Sequence, residues 1–578
     1  LGLMEMDRVR YEDAIRHFEQ VLERDPTNGD AHYYLGVVHS ELGHGIEARR
    51  HFLRLLPSAA KYDRRDYGLG LLALSENDPS GAMKWLASAA NTVPKDLSVR
   101  QAYAYLLRKA GRDREAEEER KAILLMDPTN AFAQAERILF DGRTGADASK
   151  LEPLDRACVR HPQGYLELAT EYMRLSGWDE AESVLERGIS VARSAAEKPY
   201  PLLPYYRAYI ADHQGEKEMS RKWLEVAQRQ ELKIEIFPFR SEDIHILRRI
   251  TEISPNDANA AVLLGDILYS RNRRQEAIDV WRAAVEINPQ HFAALRDLGM
   301  AMLEGGRAQE GLELLTRASR VRPEHLMTTL LVAGANARNG NTQAAREAFG
   351  RALEKTPATD TITERLAAVE AQMGNDQRAL ELLTARTFQA THLSYSLLHL
   401  YRGIRLMLAL QAAKRADFAQ ALDHVRGAAQ PPSSLGIDDF AKVKSSRLLV
   451  FEALLHQAGG DTASAAASWK AAAETLDDDV ESEGLFRAIA LHKIGKTREA
   501  EEWFHTFSSV NEQRKTDNAV ALRLHAYCMA GIYSAFSGDA SGAADNFRKA
   551  LEIDQSYLYA RQALAWLEAD MFRGLSRQ

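Results

Sequence analysis

Residues 258–359 read ANAAVLLGDILYSRNRRQEAIDVWRAAVEINPQH, FAALRDLGMAMLEGGRAQEGLELLTRASRVRPEH and LMTTLLVAGANARNGNTQAAREAFGRALEKTPAT when broken every 34 residues. Five positions stay in phase through the three lines. A large-small pair recurs as Leu264-Gly265, Leu298-Gly299 and Val332-Ala333. A small residue follows at Ala277, Gly311 and Ala345. A large one recurs at Trp281, Leu315 and Phe349, then Ala284, Ala318 and Ala352, then Pro289, Pro323 and Pro357. A repeat of this length with fixed large and small apolar offsets is the mark of a helical solenoid. Each unit is expected to be two antiparallel helices. The small residues let them approach, the large ones fill the gap, and the prolines end the second helix because they lack an N–H donor. Gly305-Gly306 and Asn339-Gly340 fall where the turn between helices needs a left-handed backbone.

The offsets resemble the tetratricopeptide repeat (TPR). That resemblance implies an all-α, right-handed α-solenoid of stacked helix pairs. The phase extends in both directions. Leu1-Gly2, Ala14, Phe18 and Pro26 fit it, so the chain is expected to begin inside a first helix and the native polypeptide to extend upstream. Leu35-Gly36 with Phe52, Leu69-Gly70 with Leu86, and Tyr103-Ala104 with Ile123 continue it, as do Leu168-Ala169 and the run through Ala208, Leu224 and Ala227. Towards the C-terminus it continues through Leu366-Ala367 and Leu383, then Ala465 and Trp469, Ala500 and Phe504, Ala543 and Phe547. Irregular stretches are expected near 131–162, where Gly142, Gly145 and Pro153 break helices, near 195–204, near 231–241 and near 386–441. Helix 394–413 should be longer than the rest. A last helix, 558–572, is expected to cap the stack with a polar outer face, followed by a frayed basic tail, Arg573 to Gln578. This gives three blocks: 1–234, a regular 235–387, and 388–578.

Pro238-Phe239-Arg240-Ser241 is the sharpest internal boundary, with Ser241, Glu242 and Asp243 opening a helix. From Phe237 to Arg240, through Leu264–Tyr269, Glu276–Ile278 and Trp281, and on to Leu383–Phe388 and Ala421–Gly436, the chain also resembles the TPR tail of one bacterial family. Its members carry an upstream domain of unknown function of the galactose-mutarotase type. The resemblance covers about 236–475. It implies a β-sandwich upstream of this chain, although Arg386–His392 departs from the family's Arg-x-Phe-His-Pro-Trp loop.

Composition excludes several function classes. Seventy-four Lys and Arg against 82 Asp and Glu leave a net charge of −8, no basis for a nucleic-acid partner. No apolar run is long enough to insert in a membrane. Two cysteines, Cys158 and Cys528, are too far apart in sequence for a ligand or disulfide framework and are expected to be packing residues. Asp477–Gly484 resembles a calcium loop, but the twelfth position from Asp479 is Ala490 where a bidentate Glu is required, so an acidic helix start is the better reading. His392 and His399 lie too far apart for one metal. No Walker A loop, nucleophile elbow or His-Glu-x-x-His is present. No catalytic residue, cofactor or metal is assigned.

What remains is protein binding. First helices of such repeats line the concave face, and positions two, five, nine and twelve of each unit should point into it. Reading along them gives Tyr33, Tyr67, Tyr105, Tyr205, Tyr209 and Tyr269, with Met300, Leu303, Met327 and Leu330 in the regular block. Tyrosine joins a broad apolar face to one polar handle, suited to peptide or sugar recognition. It also packs within such units. Val262, Asp266, Arg296 and Met300 stand where a carboxylate clamp for chaperone tails needs Lys and Asn. The sequence therefore points to a non-enzymatic scaffold that docks a peptide or partner domain. The alternative is the helical tail of a larger carbohydrate-active or carbohydrate-binding protein.

Overall fold

The computed structural model describes residues 1–56, 62–138, 148–194, 200–230, 232, 237–356, 359–389, 394–437, 445–475, 483–517 and 519–576. The expectations placed on Gly142, Gly145, residues 195–199, Pro357, Ala390–His392 and the acidic run up to Ser482 lie outside them. Among the described residues there are 32 α-helices, three short 3-10 helices and no strand. The fold is an all-α solenoid of antiparallel hairpins, divided into two compact units, Leu1–Ala294 and Leu295–Gln578.

One steric rule builds the hairpins. The glycine of the large-small pair in the first helix meets the large residue sixteen positions on (281 − 265 = 16) in the second. A Cβ at Gly36 would lie 2.7 Å from Phe52 Cε1, at Gly70 2.6 Å from Leu86 Cδ2, and at Gly299 2.8 Å from Leu315 Cγ. Gly2 with Phe18, Gly265 with Trp281 and Gly531 with Phe547 repeat the arrangement. The absent side chain is what lets an aromatic or leucine lie flat across the crossing, where it is shielded from water. Phe52, Leu86, Trp281, Leu315 and Phe547 are all buried. The prolines act as expected. Helices Tyr11–Arg24, Pro79–Thr92, Asp113–Met126, Arg274–Ile287 and Ala308–Val321 each stop just before Pro26, Pro94, Pro128, Pro289 and Pro323. Gly306 and Gly340 take φ of +79° and +78° at the turns between helices.

Pro153 departs from the expectation. It lies inside helix Ala148–Ala157 and does not end it. Only one intrahelical bond is lost there, and Leu154 and Asp155 behind it are buried. Asp155 accepts from the Tyr165 hydroxyl at 2.7 Å and from Arg187 Nε at 3.0 Å, which holds the helix against the next hairpin. Helix Ser394–Lys414 has the expected extra length at 21 residues. The boundary at 238–241 is a helix entry: Ser241–Ile253 starts there, and Asp243 accepts from the backbone N–H of Phe239 and Arg240 at 3.0 and 2.9 Å.

Within the N-terminal unit the array curves far enough for its first residues to meet its last hairpin. Arg271 pairs with Asp7, Arg273 Nη1 donates to the carbonyl of Val9 at 3.1 Å, and Tyr11 stacks on His245 at 5.6 Å between ring centres.

Within the C-terminal unit the last helix, Leu558–Glu568, does more than follow hairpin Val520–Phe536/Ala540–Ile553. It also packs on Asp360–Gln372 and Ser394–Lys414, and the 3-10 helix Met571–Leu575 packs on Ser446–Ala458. Of Leu558–Glu568 only Glu568 is exposed. An outer polar face is therefore missing, because this helix lies over the first helices of earlier hairpins. The tail is not frayed through Ser576 either: Phe572 and Leu575 are buried, and Ser576 O accepts from Lys493 Nζ.

Candidate functional site

The tyrosines singled out by register are spread along the N-terminal unit and differ in environment. Tyr205 is fully buried, and its hydroxyl donates to Asp257 Oδ1 at 2.9 Å, while the same oxygen caps the next helix by accepting from Ala260 N at 3.0 Å. Tyr105 is also buried, edge-on to Tyr172 at 6.1 Å and under the Arg108 guanidinium. Both rings are covered by their own chain. Tyr33, Tyr67, Tyr209 and Tyr269 are half-buried. Tyr33 meets Tyr34 edge-on at 5.2 Å, Tyr209 stacks on His213, and Tyr269 leans on Trp281 at 5.3 Å. Burial pushes the Tyr67 phenol up to about 12, with the Arg174 guanidinium acting against it.

Met300 and Met327 are brought to one apolar surface of the C-terminal unit through Leu303. Met300 packs beside the cluster of Leu303, Leu315 and Ala335. Leu303 and Met327 both line a cavity of about 310 Å³, with Leu330, Leu331, Gly334, Ala337, Thr361, Arg365 and Ala368 around it. Met327, Leu330, Gly334 and Ala337 are positions two, five, nine and twelve of their unit; Thr361 and Ala368 are positions two and nine of the next. The register thus turns a sequence offset into a continuous groove. Met327 is 60% exposed, unusual for a large apolar side chain, and nothing stands within 4 Å of where a Cβ at Gly334 would be. Arg365 supplies an exposed cation at the rim. Thr361 and Ala368 were findable by the same counting. Gly334 falls to it too, at position nine, although counting does not show that its contribution is the space it leaves.

A buried polar network went unseen in the sequence. Arg108 donates to Glu136 at 2.6 Å and to Glu180 at 3.0 Å, Lys109 reaches Glu180 at 3.1 Å, and Tyr172 donates to Glu136 at 2.9 Å. It ties hairpin Leu97–Lys109/Asp113–Met126 to hairpin Pro162–Arg174/Trp178–Ser194. Cys158 and Cys528 are free and buried, and burial pushes the Cys158 thiol up to about 12, so neither is poised as a nucleophile. Among the described residues no group of three or more His, Cys, Asp or Glu comes together to hold a metal, and no helix is long and apolar enough to cross a membrane.

Comparison with known proteins follows the geometry. Residues 6–69, 262–325 and 333–388 match tetratricopeptide repeat families. No curated protein matches the chain. Among solved structures it is similar to a tetratricopeptide repeat protein from Parabacteroides merdae ATCC 43184, at 15% identity over 50% of this chain and 99% of that one, TM-score 0.28. It is similar to PilW, a widely conserved type IV pilus biogenesis factor, at 16% identity over 39% of this chain and 91% of that one, TM-score 0.24. A double mutant of MamA RS-1 aligns at 19% identity over 34% of this chain and 97% of that one, TM-score 0.21. With the 34-residue phase, the glycine-to-aromatic hairpins and the matched repeats together, the chain carries tetratricopeptide repeats.

Proposed function

We propose that this protein is a non-enzymatic protein–protein interaction scaffold whose first-helix groove around Met327 takes an extended peptide or the edge of a partner domain. Tetratricopeptide repeats serve protein–protein interaction, and the observation that supports this location is the cavity beside Met327. A methionine left mostly in water over an apolar cavity adapts its shape to a partner's side chain and gains a dry contact when one enters. Leu303, Leu330 and Ala368 supply apolar walls, and Arg365 at the rim sets orientation against an acidic or carbonyl group. Of the tyrosines, Tyr33, Tyr67, Tyr209 and Tyr269 keep part of their surface free for a second area of contact in the N-terminal unit.

The test is site-specific photo-crosslinking. A benzophenone amino acid at Met327 is expected to give discrete crosslinked species in the producing cell that disappear with Leu330→Asp. The same probe at Leu125, 86% exposed on the second helix of its hairpin, is expected to give none. Equal crosslinking from both positions, or insensitivity to Leu330→Asp, would refute the assignment.

A further inference from the structure

The chain places one of its own helices where a partner helix would lie. On Leu558–Glu568 three residues one turn apart face earlier first helices. Leu558 fills the notch at Gly403, where a Cβ would lie 2.7 Å from its Cδ2. Gln562 accepts from Arg447 Nη2 at 2.8 Å. Trp566 donates from Nε1 to the carbonyl of Leu406 at 3.2 Å, with its ring edge-on to Phe451 at 4.4 Å. Spacing of i, i+4 and i+8 is that of an amphipathic helix laid in a groove. Upstream, Gln555 N donates to Arg338 O at 2.8 Å, and Gln372 Nε2 donates to Gln555 O at 3.1 Å.

The fit is incomplete at its polar end. Gln372 Oε1, Asp376 Oδ1 and Gln562 Nε2 are buried without a hydrogen-bond partner among the described residues. Each has given up water without full replacement. A cavity of about 600 Å³ lined by Gln372, Gln555, Arg548 and Arg561 opens beside the same end. A groove already shaped for a helix, holding one that leaves polar atoms unsatisfied beside open space, favours a better-matched helix over the resident one.

We infer that Gln555–Ser576 is a displaceable internal occupant of the groove of the C-terminal unit. The partner that replaces it is an amphipathic helix of another protein with a large aliphatic residue at i, an aromatic residue at i+8 and, at i+4, an acceptor for Arg447 such as a carboxylate, which leaves no buried donor unpaired. This rests on the scaffold reading above and names the partner class for the adjoining stretch of the same first-helix surface, which meets the Met327 cavity at Gln372 and Ser556.

A fluorescent synthetic peptide of residues 555–576, added to the full chain and followed by anisotropy, tests it. Wild-type chain is expected to take up little, because the site is filled. Leu558→Ala combined with Trp566→Ala empties the site and is expected to bind the peptide at least about tenfold more tightly, since apparent affinity scales with the open fraction. Adding Gly403→Leu should abolish that uptake. Gln562→Ala leaves Trp566 in place, so it serves if the double variant fails to fold; it is expected to raise uptake severalfold and to speed amide exchange over 555–568. Folded variants that take up no peptide would overturn the inference. So would wild-type tail amides exchanging no faster than those of 446–474. Failure of peptide uptake with intact crosslinking at Met327 sinks only this inference. Peptide uptake without crosslinking at Met327 sinks only the Met327 assignment.

Discussion

Gly265→Leu is the sharpest probe of how the repeats hold together. A Cβ at this position falls 2.5 Å from Trp281 Cδ1 and 2.8 Å from Cε2, against a comfortable carbon separation of about 3.5–4.0 Å. The indole must therefore withdraw by about 1 Å. It is almost fully buried, and its Nε1 donates to Asp266 at 3.1 Å and to Val262 O at 3.3 Å, so withdrawal strains those bonds as well. Overpacking costs about 1–3 kcal/mol. A lost or weakened hydrogen bond adds about 0.5–1.5 kcal/mol. Replacing a helical glycine returns about 0.5–1 kcal/mol. The net expectation is a loss of about 0.5–4 kcal/mol, the sum of those three terms. Native-state hydrogen exchange is the right assay, because hairpins of a solenoid depend chiefly on their neighbours. Protection should fall over Ala258–Ser270 and Arg274–Ile287 and persist over residues 483–576. Gly265→Ala should be destabilising by itself, and Trp281→Leu added to it, which copies the Ala367–Leu383 pairing, should rescue part of that loss, with a coupling of about 0.5–3 kcal/mol. Unchanged protection at 258–287, uniform loss along the chain, or additive single effects would each refute the packing argument.

Three further outcomes are expected. Tyr205→Phe removes the bond to the buried Asp257 carboxylate and should cost about 1.5–3 kcal/mol, read as a lower urea midpoint; a variant as stable as wild type would show that the hydroxyl carries nothing. Arg108→Ala strands Glu136 in the interior with only the Tyr172 hydroxyl and leaves Glu180 to Lys109 alone; it should cost about 3–5 kcal/mol, with exchange rising first in helices Leu97–Lys109 and Pro162–Arg174. His51, buried with its Nδ1 3.0 Å from that of His32 and stacked on His39, is held down to about 4 by burial and then by its histidine neighbours. A folded value below the ordinary 6.5 means that the unfolded chain binds the proton more readily. Stability of the first hairpins should therefore be intact above pH 6.5, fall as pH drops from there, and level off below about 4, by on the order of 1–2 kcal/mol. His51→Gln should flatten that slope, and an unchanged slope would remove His51 as its source.

Sequence alone determined the hairpins, because the contact that shapes each one is short in sequence. Gly36–Phe52, Gly265–Trp281 and Gly299–Leu315 all close over sixteen residues, so the steric demand repeats at a fixed offset and can be counted. The groove at Met327 was legible for the same reason: positions two, five, nine and twelve fall on one helical face whatever the surroundings. What only tertiary structure decided are the contacts that no period links. Arg271 finds Asp7 across 264 residues, Arg108 finds Glu180 across 72, and Trp566 finds the Leu406 carbonyl across 160. Their partners depend on how curvature accumulates from hairpin to hairpin, and a small rotation per unit leaves no mark on any single repeat. Tyr205 and Tyr269, at positions five and twelve of their units, show the same limit. Both belong to first helices, yet the first is sealed by Asp257 and the second keeps an open edge, because burial is settled by whichever element comes to lie above the ring.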